Sequence, residues 1–523
     1  MENRITTPHK GGNKSGVGGM KSLAKDTAIY GFSSIFGRFL NWLLVPFYTR
    51  TLSSTGEYGV VTNIYAWTAL LLIILTYGRE TGFFRFINKK EEQEPMRVYT
   101  SILYSIAFTS VLFIAAALLF LKPVSGLLGY GDHPEYIGMM SCIVSVDAVC
   151  CIPFAYLRYQ GRPVRFATLK LVNILLNIIL NIFFLVLCPK LNNYHSELIQ
   201  WFYQPNYGAG YIFIANTFTT AITFFLLIPD MLPAIRTKFD FGRLKNIIRY
   251  SMPILILGVV GIFNQTADKI LFLFLIEDKK YAESQLGIYG ACFKIAVVMV
   301  MFIQAFRYAY EPFIFAKNRE SDNKKSYIDA MKYFIIFSLL IFTGVMFYID
   351  IIKYFVSPEY YLGLSVVPIV MLGELFYGVY YNLSVWYKLT DKTRWGAYFS
   401  IIGCMLTVAI IISFVPHYGF IACAWASFAS NLVMMLLSYF TGQRQFPIAY
   451  NLRSAFFYLL VAAVCYAAAM FPPIDSTVLR LSYRTFILLI FIVIIIKKDL
   501  PLTKFPFIGN PTNSITAFFK SLR

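Results

Sequence analysis

Residues 287–313, GIYGACFKIAVVMVMFIQAFRYAYEPF, are long and apolar enough to cross a bilayer, yet they carry Lys294 and Arg307. A charge at bilayer depth costs roughly 2.5–3.5 kcal/mol on insertion scales, so an intramembrane cation marks a candidate functional position. At about 100° per residue, Lys294 and Glu311 share one face of this segment and Gln304 lies about 80° away. Arg307 points elsewhere, close to one end, where its guanidinium can reach the membrane surface. An earlier apolar segment repeats the theme: Tyr30, Ser34, Arg38 and Asn41 fall within about 80° of one another, with Arg38 near mid-span. Further along, Asn264, Gln265, Asp268 and Lys269 close one segment, and Glu374, Tyr377, Tyr381, Ser384 and Lys388 form a stripe on another.

These residue types suit binding rather than bond-making. Cations set among amides and phenols in a hydrated cavity can hold an anion that cannot cross lipid unaided. Two other readings stay open: Arg38 paired with one acid in a closed bundle, and Lys294 neutralising Glu374. Asn173, Asn177 and Asn181, at i, i+4 and i+8, serve equally well as interhelical hydrogen-bond glue or as cavity lining. Asp147 stands alone in its segment. Ala422, Ala426 and Ser430 form a small-residue face suited to helix packing. The eight cysteines fall within apolar segments and the four histidines fall in loops or the N-terminal tail. Neither set builds a metal site, a disulfide framework or a catalytic dyad. No cofactor or metal is expected, and the chain is not expected to be an enzyme.

The elements that position these groups follow from composition. The 523-residue chain is 58% hydrophobic and 14% charged, with mean hydropathy +0.62. Apolar runs of about 20 residues, the span of a bilayer, recur from Thr27 onward. They are continuous rather than alternating, which excludes a β-barrel. The fold class is therefore an all-α polytopic membrane protein. Fourteen helices are expected, at about 27–48, 58–77, 99–121, 136–157, 166–188, 209–229, 250–272, 287–309, 330–352, 363–387, 397–415, 419–440, 454–471 and 481–496. Most of the 46 Lys and Arg residues lie in the tails and even-numbered connections. The positive-inside rule then places both termini in the cytoplasm. The net charge of +19 is this topological bias, and no nucleic-acid partner is implied. Residues 1–26 read as a disordered cytoplasmic tail without a cleavage site.

Four expected helices open on Tyr-Gly: Tyr58-Gly59, Tyr207-Gly208, Tyr289-Gly290 and Tyr418-Gly419. One common offset relates Tyr58 to Tyr289, Tyr77 to Tyr308 and Glu80 to Glu311, and a nearly equal one relates Arg158 to Lys388. An even number of helices per repeat gives a parallel repeat, in which transporters bind substrate between the halves. The expected organisation is an N-terminal six-helix lobe over 27–229, a cytoplasmic linker over 230–249 and a second six-helix lobe over 250–440. Helices 13 and 14 follow over 441–496, then a cytoplasmic tail over 497–523.

The stretches AKDTAIYGFSSIFGRFLNWLLVPFYTRTLSSTGEYGVV, NQTADKILFLFL, GIYGACFKIA and FVPHYGFIACAWASFAS carry a resemblance. Over residues 21–500 the chain resembles the polysaccharide transporters of the multidrug/oligosaccharidyl-lipid/polysaccharide superfamily, the Wzx-type flippases. The resemblance implies two six-helix lobes around a cavity, two further helices, and alternating access in a bacterial plasma membrane. The implied cargo is an undecaprenyl-diphosphate-linked oligosaccharide (an O-antigen, capsule or exopolysaccharide unit), moved from the cytoplasmic to the external leaflet. It also implies cavity arginines near the first two helices, which Arg38 and Arg79 match by position. Candidate substrate-binding residues are thus Arg38, Asn41, Arg79, Asn264, Asp268, Lys294, Gln304, Glu374, Tyr377 and Tyr381. Expected partners are the lipid-linked oligosaccharide, a coupling ion (H+ or Na+) and a polysaccharide polymerase. The competing readings are a drug/cation antiporter of the same superfamily, which Asp147, Asp268 and Glu374 would serve, and a membrane-embedded polymerase or ligase.

Overall fold

The computed structural model describes residues 36–88, 94–194, 196–317, 323–390 and 392–499. The two tails, and with them Tyr30 and Ser34, lie outside the described residues. Among the described residues every regular element is helical, and thirteen helices are long and apolar enough to cross a membrane. They follow a first helix, α1, described over 36–51. The spans are α2 (Thr55–Ile87), α3 (Pro95–Leu119), α4 (Pro134–Tyr159), α5 (Pro163–Asn193), α6 (Ala209–Ile235), α7 (Phe241–Leu275), α8 (Lys279–Tyr308), α9 (Lys324–Phe347), α10 (Pro358–Leu389), α11 (Arg394–Tyr418), α12 (Phe420–Gln445), α13 (Leu452–Met470) and α14 (Thr477–Lys498). The chain is a multi-pass membrane protein with the expected helical architecture.

Two elements depart from expectation. The helix expected to end at residue 77 breaks there and resumes over Arg79–Ile87. Tyr77 (φ 52°) and Gly78 (φ 62°) both adopt the left-handed conformation, so the break turns the chain without ending the span; hydropathy alone reads the polar stretch after it as a loop. The connection expected to be irregular after residue 188 is largely helical, over Cys188–Tyr194 and Ser196–Ile199. Cys188, Ile199, Tyr203 and Tyr211 form a buried cluster there, which gives this segment a core of its own.

The chain divides into two compact units. The first holds Met1–Lys294, Val356–Val366 and Arg394–Met434; the second holds Ile295–Phe355, Val367–Thr393 and Met435–Arg523. The six-plus-six repeat concerns symmetry rather than contact density, and it remains a proposal. Within the first unit, α2 and the start of α8 cross very closely. A Cβ on Gly59 would overlap the Glu283 carbonyl oxygen, and one on Gly287 would overlap that of Thr55. Only residues without a side chain let the two backbones approach so far. The Tyr-Gly signature therefore has a packing cause at Gly59. The small face of α12 is also used for packing: Ala422, Ala426 and Ser430 are buried, and Ser430 Oγ donates to the Gly403 carbonyl at 2.9 Å.

In the second unit α13 packs on α9, and α14 on both. Asp499 accepts from Lys332 Nζ at 2.9 Å and from the Tyr458 hydroxyl. Burial works against the charged form of Asp499, but the hydrogen bonds from Tyr458 and Lys332 outweigh it and hold the carboxyl below its ordinary value. Asp350 binds Arg480 at 2.7 Å and Arg484 at 2.9 Å.

Candidate functional site

The first unit encloses a cavity of about 420 Å³ whose walls come from α1, α2, α5, α6, α7 and α8. Its polar lining is unusual for the interior of an apolar bundle: Asn41, Tyr65, Asn173, Asn177, Asn216, Thr266, Lys269 and Lys294 all face it. Each wall is tied to its neighbours. Trp42 Nε1 on α1 donates to the Lys294 carbonyl on α8 at 2.6 Å. Asn63 on α2 donates from Nδ2 to the Lys269 carbonyl on α7 at 2.7 Å, and its Oδ1 accepts from the Tyr130 hydroxyl at 2.9 Å. Thr55 and Ser284 hydroxyls meet at 2.7 Å above the cavity.

The asparagine ladder does both of the things its spacing allowed. Asn173 Nδ2 donates to Thr223 Oγ1 on α6 at 2.8 Å, and Asn177 Nδ2 lies 3.5 Å from Asn216 Oδ1. Asn181 turns back onto Asn177 at 2.6 Å. Asn173 and Asn177 nonetheless line the cavity, so α5 is both fastened to α6 and presents amides inward.

The two lysines differ. Lys269 Nζ sits 2.8 Å from Asp268 Oδ2 and 4.2 Å from the centre of the Phe293 ring. Asp268 also accepts from the Tyr289 hydroxyl at 2.6 Å. Lys294 has no acidic partner among the described residues, although it shares the cavity with Lys269. A buried carboxylate neutralises one cation, and the other is left for whatever enters.

Of the residues singled out from sequence, Asn41 and Lys294 line this cavity, and Asp268 supports it through Lys269. Asn264 instead accepts from Thr407 Oγ1 on α11 at 2.7 Å. Arg38 lies on α1 three residues before Asn41, is exposed, and is not part of the cavity wall. Arg79 is buried at 3% exposure beside the break in α2, with its guanidinium over the Tyr77 ring at 4.6 Å. Its Nε and Nη1 have no hydrogen-bond partner. Gln304, Glu374, Tyr377 and Tyr381 belong to the second unit. There the Tyr381 ring is approached by Arg307 at 4.2 Å and by Lys388 at 4.4 Å. Sequence reasoning noted Lys269 at the close of its segment but left it out of the candidate binding set, and it did not single out Asn216, Tyr65 or Thr266. Lys269 was visible as a cation in an apolar segment, whereas lone hydroxyls and amides in apolar helices carry no signal of direction.

No curated protein matches the sequence. Solved structures do match in fold. A lipid II flippase, MurJ, in an inward closed conformation superposes with TM-score 0.69 at 15% identity, covering 90% of this chain and 98% of its own. An inward-facing multidrug-resistance MATE transporter gives 0.61 at 12% identity over 77% and 93%. The MATE multidrug transporter DinF-BH gives 0.56 at 16% identity over 84% and 98%. At such identities the likeness is one of fold. The sequence itself matches a family model over residues 23–316, a stretch that contains the whole cavity wall. The chain belongs to the polysaccharide biosynthesis protein family described by that model.

Proposed function

We propose that the chain is a flippase that moves an undecaprenyl-diphosphate-linked oligosaccharide from the cytoplasmic to the external leaflet of the bacterial plasma membrane by alternating access. The observation that carries this reading is Lys294, a cation without an acidic partner among the described residues, facing a cavity lined by Lys269 and four asparagines. A diphosphate needs charge-assisted donors to offset its lost hydration, and a glycan needs amides and hydroxyls. The family description, polysaccharide biosynthesis, and the shared fold with a lipid II flippase favour the same cargo. The antiporter reading draws on Asp268 as an ion site, but that carboxylate is already held by Lys269 and Tyr289. H+ or Na+ as coupling ion and a polymerase that receives the flipped unit are the partners this reading calls for. Arg38 and Arg79, outside the wall in this state, are proposed to meet the cargo on its way.

Lys294→Gln should leave the protein inserted but stop export, with lipid-linked repeat units accumulating on the cytoplasmic side. Lys294→Arg should keep part of the activity, because charge outweighs geometry at a single-point contact. Arg38→Gln should also halt export, and Arg38→Lys should retain less than Lys294→Arg if the guanidinium binds through two donors. Recovery of export in Lys294→Gln/Glu374→Gln would mean that the lysine merely neutralises an acid, and would remove its role in cargo binding.

A further inference from the structure

A second cavity in the first unit, of about 400 Å³, presents Thr51, Ser53, Glu57, Asn192, Asn193 and Asn206 beside Tyr203 and Tyr211, with Leu185, two prolines and Gly208 completing the wall. It lies beyond the end of α5, where that helix widens into a π turn over Phe183–Leu187 before continuing to Tyr194. Its aromatic wall is rigid. Phe184, Tyr211 and Tyr203 stack in series, with ring centres 5.1 Å apart at each step. The Tyr211 hydroxyl is fixed by the Gln204 backbone, accepting from N at 2.6 Å and donating to O at 3.1 Å.

The polar groups are not tied in this way, and Asn193 and Asn206 are open to solvent. No hydrogen bond joins the Asn192, Asn193 or Asn206 side chains to other described residues. Ser53 donates to one oxygen of Glu57, while the other, Oε2, is buried without a partner. A buried unpaired carboxylate oxygen is costly, so its retention calls for an explanation. The carboxylate is also built in: it packs on Gly208, whose φ is +40° and where any Cβ would overlap it. Amides that both donate and accept, next to a carboxylate that only accepts, match the vicinal hydroxyls of a sugar. The volume lies within the range of about 300–1,000 Å³ usual for small-ligand sites. The carboxylate disfavours an acidic sugar.

We propose that this cavity is a second carbohydrate site, selective for uncharged sugar residues, that holds the far end of the glycan on the side opposite the basic connections. It rests on the reading of the cargo as a lipid-linked oligosaccharide, but it can be tested without transport. The full chain in lipid nanodiscs is exposed to free chitotriose, maltotriose and mannotriose, with trigalacturonate as the acidic comparator, and saturation-transfer NMR reports contact. At least one neutral trisaccharide should receive saturation and trigalacturonate should not. Asn206→Leu, at an exposed position, should weaken that binding at least tenfold. Glu57→Gln keeps the shape against Gly208 and should let trigalacturonate bind. Lys294→Gln, which stops export under the preceding reading, should leave free-sugar binding intact; loss of export and loss of sugar binding therefore report on different sites. Contact from no neutral trisaccharide, preference for the acidic one in the native chain, or binding unchanged by Asn206→Leu would each overturn the proposal.

Discussion

Lys269 and Lys294 face one cavity from adjacent helices, and what holds each of them predicts opposite responses to the same substitution. Asp268 is buried, its side chain 8% exposed, and Lys269 at 14% is its counter-charge. Lys269→Met strands that carboxylate, and breaking a buried pair from one side costs about 3–5 kcal/mol. Lys269→Met/Asp268→Asn should recover most of the loss, because the stranded charge goes with its partner. Lys294→Met removes a cation that pairs with no acid among the described residues and should unfold no earlier than the native protein. Thermal unfolding in detergent distinguishes the three. An early melt for Lys294→Met would reveal an acid that depends on it, and would return Lys294 to a structural role. This contrast was not legible in sequence, where Asp268-Lys269 and Lys294 read as similar polar interruptions. Pairing is a tertiary fact, decided by which rotamer reaches which helix. Arg79 makes the same point from the other side: the two successive left-handed residues before it, which hydropathy does not signal, leave it buried beside the break in α2.

At the level of elements, continuous apolar runs identified the spans, because a bilayer demands about 20 such residues and leaves few alternatives. Boundaries failed where the helix outlasts its hydropathy. α2 continues past its break to Ile87 and α5 runs on to Asn193, since a helix leaving the membrane still keeps its backbone bonded. Four Tyr-Gly dipeptides stand out in the sequence, and at Gly59 a packing cause became visible in the crossing of α2 and α8. Gly59 and Gly287 each face a carbonyl of the other helix at a distance that no Cβ could share. Gly59→Val should force the pair back toward the ordinary interaxial spacing of about 8–10 Å and part the Thr55–Ser284 contact. Spin labels at the exposed positions Ser53 and Lys280 should move apart, and export should fall with the protein still inserted. An unchanged label distance would mean that the crossing relaxes elsewhere and seals nothing.

For the whole molecule, the direction of transport follows from which side of the membrane this crossing occupies. The 46 basic residues concentrate in the tails and even-numbered connections, so the positive-inside rule puts the α1–α2 and α7–α8 connections outside. With that orientation the Gly59–Gly287 crossing, at the start of α2 and of α8, lies toward the external side, and the proposed cargo is expected to enter the lysine cavity from the cytoplasmic side. The proposed direction, export, depends on that orientation; the opposite orientation would correspond to uptake. Impermeant thiol reagents decide between the two in intact cells. Asn193→Cys should react, whereas Ser15→Cys, Lys90→Cys and Ser321→Cys should react only after the membrane is opened. The native cysteines give little background, because all eight lie within the apolar spans. Under the parallel repeat, α1–α6 should superpose on α7–α12 about an axis near the membrane normal, with Tyr58 over Tyr289, which keeps both halves in the same orientation. Labelling of Lys90→Cys from outside would therefore invert both halves together. The anion site would then open to the external face, and the proposed direction of transport would be wrong even if every residue of the cavity were right.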